Sequence, residues 1–308
     1  MTKKPPILIA GPTASGKSAL ALELAARLDG VIINADALQV YGLWRVLTAR
    51  PSAADEALAP HHLYGHVDPA VSYSAGEWLR EVTALLEGLG ERQAIIIGGT
   101  GLYFSSLLNG LAEIPAIPSE VRAKGDAMRL GGASAFEMLA DLDPVTWGRI
   151  DRQNPARLQR AWEVLEATGR TLSDWQDTGT RPLFGLGETV PVCLDVEKDW
   201  LNARIARRFD LMLNEGALEE CEAWMARDLP MTLPAAKALG AAEIIAHLKG
   251  EMSLEDARES ATIATRQFAK RQRTWFRSKM KDWLRIDIAD LGAKHATERI
   301  LEGRNGLN

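Results

Sequence analysis

The chain has 308 residues, of which 46% are apolar and 25% charged, and its formal net charge is −5. This composition is typical of a globular protein with an ample core, and the length favours one large domain or one domain with an insertion. No stretch approaches the ~20 apolar residues that span a bilayer, and the first apolar stretch is too short for a signal peptide. Two cysteines, Cys193 and Cys221, are too few for a disulfide framework or a zinc site of their own. We therefore expect a cytoplasmic protein.

A glycine-rich run near the start of the chain, from Gly11 to Ser18, reads G-P-T-A-S-G-K-S and follows the apolar stretch from Pro6 to Ala10. A strand, a glycine-rich turn and a helix in that order form the context of a phosphate-binding loop. Backbone N–H groups converge on a phosphate there, Lys17 adds a point charge, and the Ser18 hydroxyl can reach Mg²⁺. This phosphate loop predicts a phosphorylated ligand, but kinases, hydrolases and transferases all contain such loops.

Short apolar stretches alternate with helical patterns in the first hundred residues. Val31 to Asp36 ends in an acid, and Ala94 to Ile97 runs into a glycine turn, Gly98 to Gly101. Such strands favour an α/β fold with a parallel sheet flanked by helices. Since ligands bind beyond the carboxyl ends of parallel strands, we expect the phosphate loop, Asp36 and the glycine turn to share one crevice.

The middle of the chain, residues 114–186, has a different character, because helical patterns dominate it. Asn154 and Pro155 predict the start of a helix, and Gly169 predicts its end. We interpret 114–186 as a small helical insertion domain. The catalytic core would then consist of residues 1–113 and 187–308, with Val190 to Val196 as a strand that returns to the sheet.

Three polar features near the first strands leave alternatives open. Asp36 could hold Mg²⁺ through water, act as a general base or cap a helix. The amide of Gln39 both donates and accepts hydrogen bonds, which suits contact with the edge of a base. The segment from His61 to His66 contains three histidines, but Gly65 disfavours the helix that would align two of them. We therefore expect structural roles for these histidines rather than metal binding.

Positive charge is concentrated between residues 266 and 285, where eight Lys or Arg residues accompany one acid, Asp282. On a helix, four of the basic residues would form one narrow row, the basic stripe: Arg266, Lys270, Arg273 and Arg277. Phe268 and Trp275 would lie on the opposite face and pack on the core. Because no acid before Asp282 relieves the repulsion, the basic stripe predicts contact with a nucleic-acid backbone.

Two further basic groups are less specific. The first lies in the expected insertion, and binding and solvent-exposed interpretations of it are balanced: Arg149, Arg152, Arg157 and Arg160. The second lies near the start of a helix after the returning strand: Arg204, Arg207 and Arg208. One arginine of this second group could clamp a pyrophosphate, but spacing alone does not select which.

Taken together, the motifs resemble those of the bacterial tRNA dimethylallyltransferases, also called tRNA isopentenyltransferases or IPP transferases. The matching motifs occur in order up to about Arg277: residues 11–18, 34–36, 39–41, 98–103, 160–166 and 265–277. The resemblance implies a fold like that of the P-loop NTPases. It also implies transfer of a dimethylallyl group from dimethylallyl diphosphate to N6 of the adenosine 3′-adjacent to the anticodon of tRNA, with release of diphosphate.

The resemblance also implies roles for individual residues. The diphosphate would be held by the phosphate loop: Gly11, Pro12, Thr13, Ala14, Ser15, Gly16, Lys17 and Ser18. The catalytic residues would be Asp36 as the base, Thr13, Lys17, Thr100 and Arg208. The contacts to tRNA would be Asp36, Ala37, Leu38, Gln39, Thr100, Arg122, Ala156, Arg157, Leu158, Gln159, Arg160 and the four residues of the basic stripe. Ser18 would bind Mg²⁺ as the cofactor, and the partner would be the anticodon stem-loop of tRNA, bound by a monomer without membrane association.

Three positions depart from the family pattern. Ala37 replaces a usual Ser, Ala156 replaces a common Gln, and Arg50 replaces a usual Lys. Two other hypotheses stay open at this point. A small-molecule kinase would explain the phosphate loop but not the basic stripe, and prenylation of free adenine nucleotides would use the same chemistry.

Overall fold

The computed structural model describes residues 4–178 and 181–305, the last two without their side chains. The chain divides into two compact units, a core unit of Met1–Leu108 with Phe184–Asn308 and a helical unit of Asn109–Leu183. The helical unit begins and ends slightly earlier than the expected insertion, 114–186.

A parallel sheet organises the core unit. Within the described residues its strands are β1 (Ile7–Ala10), β2 (Gly30–Asn34), β3 (His61–His62), β4 (Gln93–Gly98), β5 (Val190–Leu194) and β6 (Leu284–Ile286). They lie in the order β3-β2-β4-β1-β5-β6, and every pair is parallel. In the register, Ile7 of β1 is opposite Ile95 of β4 and Val190 of β5. The expected α/β fold with a parallel sheet is confirmed.

Helices account for most of the other described residues. Before the helical unit and at its start they are α1 (Lys17–Leu28), α2 (Ala53–Leu58), α3 (Ala75–Gly88) and α4 (Gly101–Asn109). In the helical unit they are α5 (Ser119–Arg129), α6 (Leu139–Leu142), α7 (Pro144–Arg149), α8 (Pro155–Thr168) and α9 (Leu172–Asp177). After it they are α10 (Lys198–Asn214), α11 (Ala217–Ala226), α12 (Ala241–Leu248), α13 (Leu254–Lys279) and α14 (Ile288–Asn305), the last interrupted at Gly292. Short 3₁₀ helices lie at Ala133–Phe136, Leu186–Glu188 and Pro234–Lys237.

The central strands are buried because they are continuous apolar runs. Every residue of β1 is 0% exposed, and β4 is buried along its whole length. In α1, Leu20 and Leu24 lie one turn apart and pack with β1 in the same apolar cluster. This rigid centre fixes the positions of the loops that follow each strand.

The helical unit has its own apolar core, formed chiefly by Phe136, Leu158 and Trp162. Its longest helix, α8, begins and ends as the sequence predicts. The Asn154 side chain accepts a hydrogen bond from Arg157 N–H at its start, and Gly169 ends it in the left-handed conformation. Across the part of the chain that the structure describes, no helix is long and apolar enough to cross a membrane.

Candidate functional site

The phosphate loop connects β1 to α1. Gly16 caps α1 with a φ of 93°, a conformation that glycine adopts without strain. The Lys17 Nζ donates hydrogen bonds to the carbonyl oxygens of Gly11, at 2.9 Å, and Pro12, at 2.8 Å. The Ser15 hydroxyl is buried and has no hydrogen-bond partner among the described residues. The loop therefore presents a half-buried cation, Lys17, and a buried hydroxyl, Ser15, that is unpaired among the described residues.

Two half-buried cations, Lys17 and Arg208, and one carboxylate lie close together at the phosphate loop. Burial lowers the pKa of Lys17 to about 8; nearby Asp36 opposes this shift and Arg208 adds to it. Burial likewise lowers the pKa of Arg208, from α10, to about 10, again against the effect of Asp36 and with that of Arg204. A negatively charged ligand at this place would therefore stabilise the protonated, charged forms of both side chains.

Asp36 follows the end of β2 and is held by Asn34. The Asn34 side chain accepts from Asp36 N–H at 2.8 Å, and it donates to the carbonyl oxygens of Asp36 and Leu63, each at 2.9 Å. The carboxylate Oδ1 of Asp36 accepts from Leu38 N–H at 3.0 Å. The carboxylate is thus fixed at the carboxyl edge of the sheet by short-range hydrogen bonds.

The glycine turn, Gly98 to Gly101, comes close to the segment after β2. A Cβ on Gly98 would overlap the carbonyl oxygen of Ala35, so only glycine allows this approach. Thr100 N–H donates to Ala35 O at 3.2 Å, and Thr100 Oγ1 accepts from Ala37 N–H at 2.9 Å. The structure therefore brings Thr100 beside the Asp36 segment, as the shared crevice requires.

A small cavity of about 50 Å³ lies at this place in the core unit. Thr13, Asp36 and Arg208 contribute charged and polar groups to its wall. The rest of the wall is largely apolar, with Leu38, Leu47, Ile205, Phe209, Met212, Leu239 and Phe268 joined by Thr48 and Thr265. The cavity thus combines a polar, charged side with an apolar side, an arrangement that suits a ligand with a charged end and a hydrocarbon end.

The structure gives the three arginines in the middle of α10 different surroundings, a distinction that their spacing in the sequence does not make. Arg208 lines the cavity. Arg204 Nε donates to the carbonyl oxygen of Ala14 in the phosphate loop at 2.9 Å, and its guanidinium lies 4.7 Å from the centre of the Trp200 ring. Arg207 is exposed. Arg208 is therefore the arginine placed to meet a ligand, while Arg204 supports the loop.

The amide nitrogen of Gln39 is engaged within the chain. Its Nε2 donates to the carbonyl oxygens of Thr48, at 2.8 Å, and Ala49, at 3.0 Å. Both amide hydrogens are thus bound in this structure, and contact between Gln39 and RNA stays a prediction. Ala37 and Leu38 are half-buried at the same segment.

The basic stripe lies on α13, as expected, but its charges are not all unrelieved. Arg266 and Lys270 are exposed, and Arg273 is half-buried with an Nε that has no partner among the described residues. Arg277 forms an ion pair with Asp195 at 3.1 Å. An acid distant in sequence, beyond the end of β5, therefore relieves part of the repulsion at one end of the stripe.

The buried face of α13 also differs from the prediction. Ala269, Gln272 and Phe276 are buried, whereas Phe268 and Trp275 are only half-buried. The predicted core contacts therefore flank the buried face rather than form it. A glutamine occupies the middle of that face, and the sequence interpretation gave it no role.

Within the helical unit, the stretch expected to contact tRNA is only partly accessible. Ala156 and Arg157 are exposed, but Leu158 is 0% exposed and belongs to the apolar core of the unit. Gln159 is buried, and its Nε2 donates to the carboxylates of Asp126 at 2.8 Å and Glu163 at 2.7 Å. The structure does not support side-chain contacts from Leu158 or Gln159 to tRNA, because packing and internal hydrogen bonds occupy both.

Several arginines of the helical unit lie near acids. The exposed Arg122 lies 3.6 Å from the buried carboxylate of Glu163. Arg160 is half-buried, and burial lowers its pKa while Glu163 opposes the shift. Arg149 bonds both carboxylate oxygens of Asp177 at 2.8 Å. Of the residues expected to contact RNA here, Arg122 and Arg157 are the exposed cations.

The histidine segment is built into the fold. His61 and His62 form β3, and His66 Nε2 lies 2.8 Å from the carboxylate of Glu81. Among residues 4–178 and 181–305, no three His, Cys, Asp or Glu side chains gather in a way that could hold a metal ion.

The most informative residue that the sequence interpretation missed is Gln272. Its Oε1 accepts from Thr13 N–H of the phosphate loop at 2.9 Å, and its Nε2 donates to the carbonyl oxygen of Gly99 at 3.0 Å. A glutamine on the buried face of a helix needs hydrogen-bond partners inside the protein, and its position on α13 could have indicated this role.

Comparisons with known proteins agree with this geometry. A family model described as IPP transferase matches residues 39–279. A tRNA dimethylallyltransferase of Cereibacter sphaeroides (strain ATCC 17025 / ATH 2.4.3) is 59% identical over 92% of this chain and 96% of its own length. One from Roseobacter denitrificans is 59% identical over 90% of this chain and 97% of its own length.

Solved structures show the same relationship. The full-length tRNA isopentenylpyrophosphate transferase from Bacillus halodurans superposes with a TM-score of 0.68 at 30% identity, covering 99% of this chain and 96% of that one. A eukaryotic dimethylallyltransferase, solved acting on tRNA, gives a TM-score of 0.77 at 26% identity, covering 92% of this chain and 74% of that one. The chain belongs to the IPP transferase family of tRNA dimethylallyltransferases.

Proposed function

We infer that this chain performs the reaction of its family, and we propose which residues carry out each step. The reaction moves a dimethylallyl group from dimethylallyl diphosphate to N6 of the adenosine 3′-adjacent to the anticodon and releases diphosphate. The observation that carries the assignment of residues is the cavity where Thr13, Asp36 and Arg208 face an apolar wall. A charged diphosphate and a short branched hydrocarbon match its two sides.

The phosphate loop holds the diphosphate of the donor. Its backbone N–H groups and the dipole of α1 favour an anion at this point, with Thr13 at the edge of the cavity. Lys17 and Arg208 supply positive charge from half-buried, partly desolvated positions, where electrostatic interactions are stronger than in water. The negative charge that develops on the leaving diphosphate is therefore stabilised by groups that are already in place.

Mg²⁺ is the proposed cofactor, and the oxygen donors of the phosphate loop suit an ion that is shared with the substrate. The loop offers the exposed hydroxyl of Ser18 but no carboxylate. Mg²⁺ commonly keeps several waters and binds through substrate phosphates rather than in a protein cage. Ser18 would thus hold an ion that the diphosphate also binds, and the ion would supply further neutralisation of the leaving group.

Asp36 and Thr100 receive the acceptor adenine. The adenine amine is a poor nucleophile, because its lone pair is delocalised into the ring, and a carboxylate is too weak a base to deprotonate it in the ground state. As the bond from N6 to the allylic carbon forms, the carbon–oxygen bond to diphosphate breaks, and the electron pair leaves with the diphosphate. The nitrogen becomes acidic as the new bond forms, and its proton passes to the Asp36 carboxylate.

The tRNA binds through exposed cations. In the core unit we propose Arg266 and Lys270 of the basic stripe, and in the helical unit Arg122 and Arg157. Exposed arginine and lysine side chains bind phosphates without reading sequence. The target base leaves its stack to enter the cavity, as enzymes that modify bases require. We further propose that the protein acts as a monomer in the cytoplasm.

The assignment is tested by incubating the protein with labelled dimethylallyl diphosphate and bulk tRNA. We expect label in RNA at the adenosine next to the anticodon, with no turnover of ATP. ATP hydrolysis without labelled RNA would instead support a small-molecule kinase. Competition between an anticodon stem-loop and AMP as acceptors tests the third hypothesis, and faster prenylation of AMP would overturn the tRNA assignment.

A further inference from the structure

Gln272 joins two parts of the site that come from distant regions of the chain. It lies on the buried face of α13 and is 7% exposed. Its oxygen accepts from Thr13 N–H at 2.9 Å, and its nitrogen donates to Gly99 O at 3.0 Å. A side-chain amide can accept and donate at its tip without carrying charge. The side chain therefore links the phosphate loop directly to the glycine turn.

The glycine turn is shaped to receive α13. A Cβ on Gly99 would overlap the Nε2 of Gln272 and lie 3.2 Å from Asp36 Oδ2. A Cβ on Gly101 would overlap the ring of Trp275. The turn thus contacts α13 at two points where not even a Cβ would fit, so the two segments are in close contact.

The two parts that Gln272 joins have different tasks in the proposed reaction. The phosphate loop holds the donor. The glycine turn carries Thr100, whose Oγ1 accepts from Ala37 N–H beside Asp36 on the acceptor side. The separation of these two parts sets the distance between the allylic carbon and the adenine amine. A misplacement of about 1 Å between reacting groups can cost about 100-fold in rate.

We propose that Gln272 is a positioning residue, which holds the phosphate loop and the glycine turn at the separation that prenyl transfer requires. This inference rests on the proposed function. Gln272 touches neither substrate and contributes no charge. Its effect is therefore on the rate of the bound complex, while the exposed Arg266 and Lys270 on the same helix continue to bind RNA.

The test compares Gln272→Met and Gln272→Glu with a matched control, Gln267→Met, because Gln267 lies on the same helix but is exposed. Methionine keeps the length and loses both hydrogen bonds, whereas glutamate keeps the acceptor for Thr13 N–H and loses the donor to Gly99. Single-turnover rates are measured with saturating dimethylallyl diphosphate and an anticodon stem-loop at 25 °C. Inhibition by pyrophosphate, the dissociation constant for the stem-loop and the melting temperature are measured in parallel.

We expect the rate of Gln272→Met to fall about 100-fold and that of Gln272→Glu about 10-fold. The Kd for the stem-loop and the inhibition constant for pyrophosphate should change less than about threefold for Gln272→Met, and Gln267→Met should behave as wild type. A folded Gln272→Met protein with a wild-type rate overturns the proposal, whatever its melting temperature. If that variant does not fold, a wild-type rate in the isosteric Gln272→Glu overturns it. Failure of the wild-type protein to transfer any prenyl group would instead refute the proposed function.

Discussion

The cations near the phosphate loop and those of the basic stripe illustrate two uses of positive charge. Lys17 and Arg208 are half-buried near one carboxylate, and desolvation lowers their pKa values to about 8 and about 10. Arg266 and Lys270 are exposed on α13. A partly desolvated charge interacts more strongly with a ligand beside it, whereas an exposed charge is screened by salt and acts on any phosphate nearby. The first suits transition-state stabilisation, and the second suits affinity for RNA.

The largest effect should come from the carboxylate of the cavity. We expect Asp36→Asn to lower the rate of prenyl transfer about 1,000-fold, because the amide cannot accept the N6 proton. Affinity for tRNA should stay within about twofold. Single-turnover assays and filter binding measure the two quantities, with Asp29→Asn on the exposed end of α1 as the control. Near-normal turnover of Asp36→Asn would remove this residue from the role of base.

Removal of the cation that lines the cavity should have the next largest effect. Arg208→Gln should lower the rate about 100-fold, since it removes charge that stabilises the leaving diphosphate. The variant should also need more pyrophosphate for inhibition. Arg207→Gln is the matched control, because Arg207 is the neighbouring residue on α10 and is exposed. Equal effects of the two substitutions would contradict the distinction between the partly desolvated cation and the exposed one.

The lowered pKa of Lys17 predicts that prenyl transfer depends on pH. Because burial lowers this pKa to about 8, the ammonium of the free protein is present below pH 8 and is lost as the pH rises through that value. The ratio kcat/KM for dimethylallyl diphosphate should therefore fall above about pH 8, by up to about tenfold per pH unit. Lys17→Met should be less active throughout and lack this decline. A wild-type profile that is flat from pH 7 to 9.5 would argue against a diphosphate contact by Lys17.

The smallest effect is expected from substitutions of exposed residues of the basic stripe. Changing Arg266 and Lys270 together to glutamine should weaken tRNA binding about tenfold at low salt. The slope of log K against log salt should decrease by about 1.5, and the single-turnover rate at saturating tRNA should be kept. Lys249 and Lys294, changed together, provide a control with the same loss of exposed charge elsewhere. A salt slope unchanged from wild type would show that the stripe is an ordinary solvated face.

Sequence patterns of a few residues predicted those parts of the structure that depend on neighbours in the sequence. They predicted the phosphate loop, the strand before Asp36 and the caps of α8, since each follows from residues within a few positions. They failed for contacts between distant residues. Thr13 and Gln272 are 259 positions apart, and no local pattern indicates that they meet. The burial of Leu158 likewise depends on the packing of the whole helical unit, and no local pattern indicates it.

The apolar wall of the cavity has a consequence for side reactions of the proposed donor. An allylic carbon that loses its diphosphate reacts with water as well as with an amine. Seven apolar side chains line the cavity opposite Thr13, Asp36 and Arg208. Apolar side chains offer water no hydrogen-bond partners, so a hydrocarbon seated against this wall would meet water on fewer sides. With the donor bound as proposed, we expect the wall to slow its hydrolysis to the free alcohol.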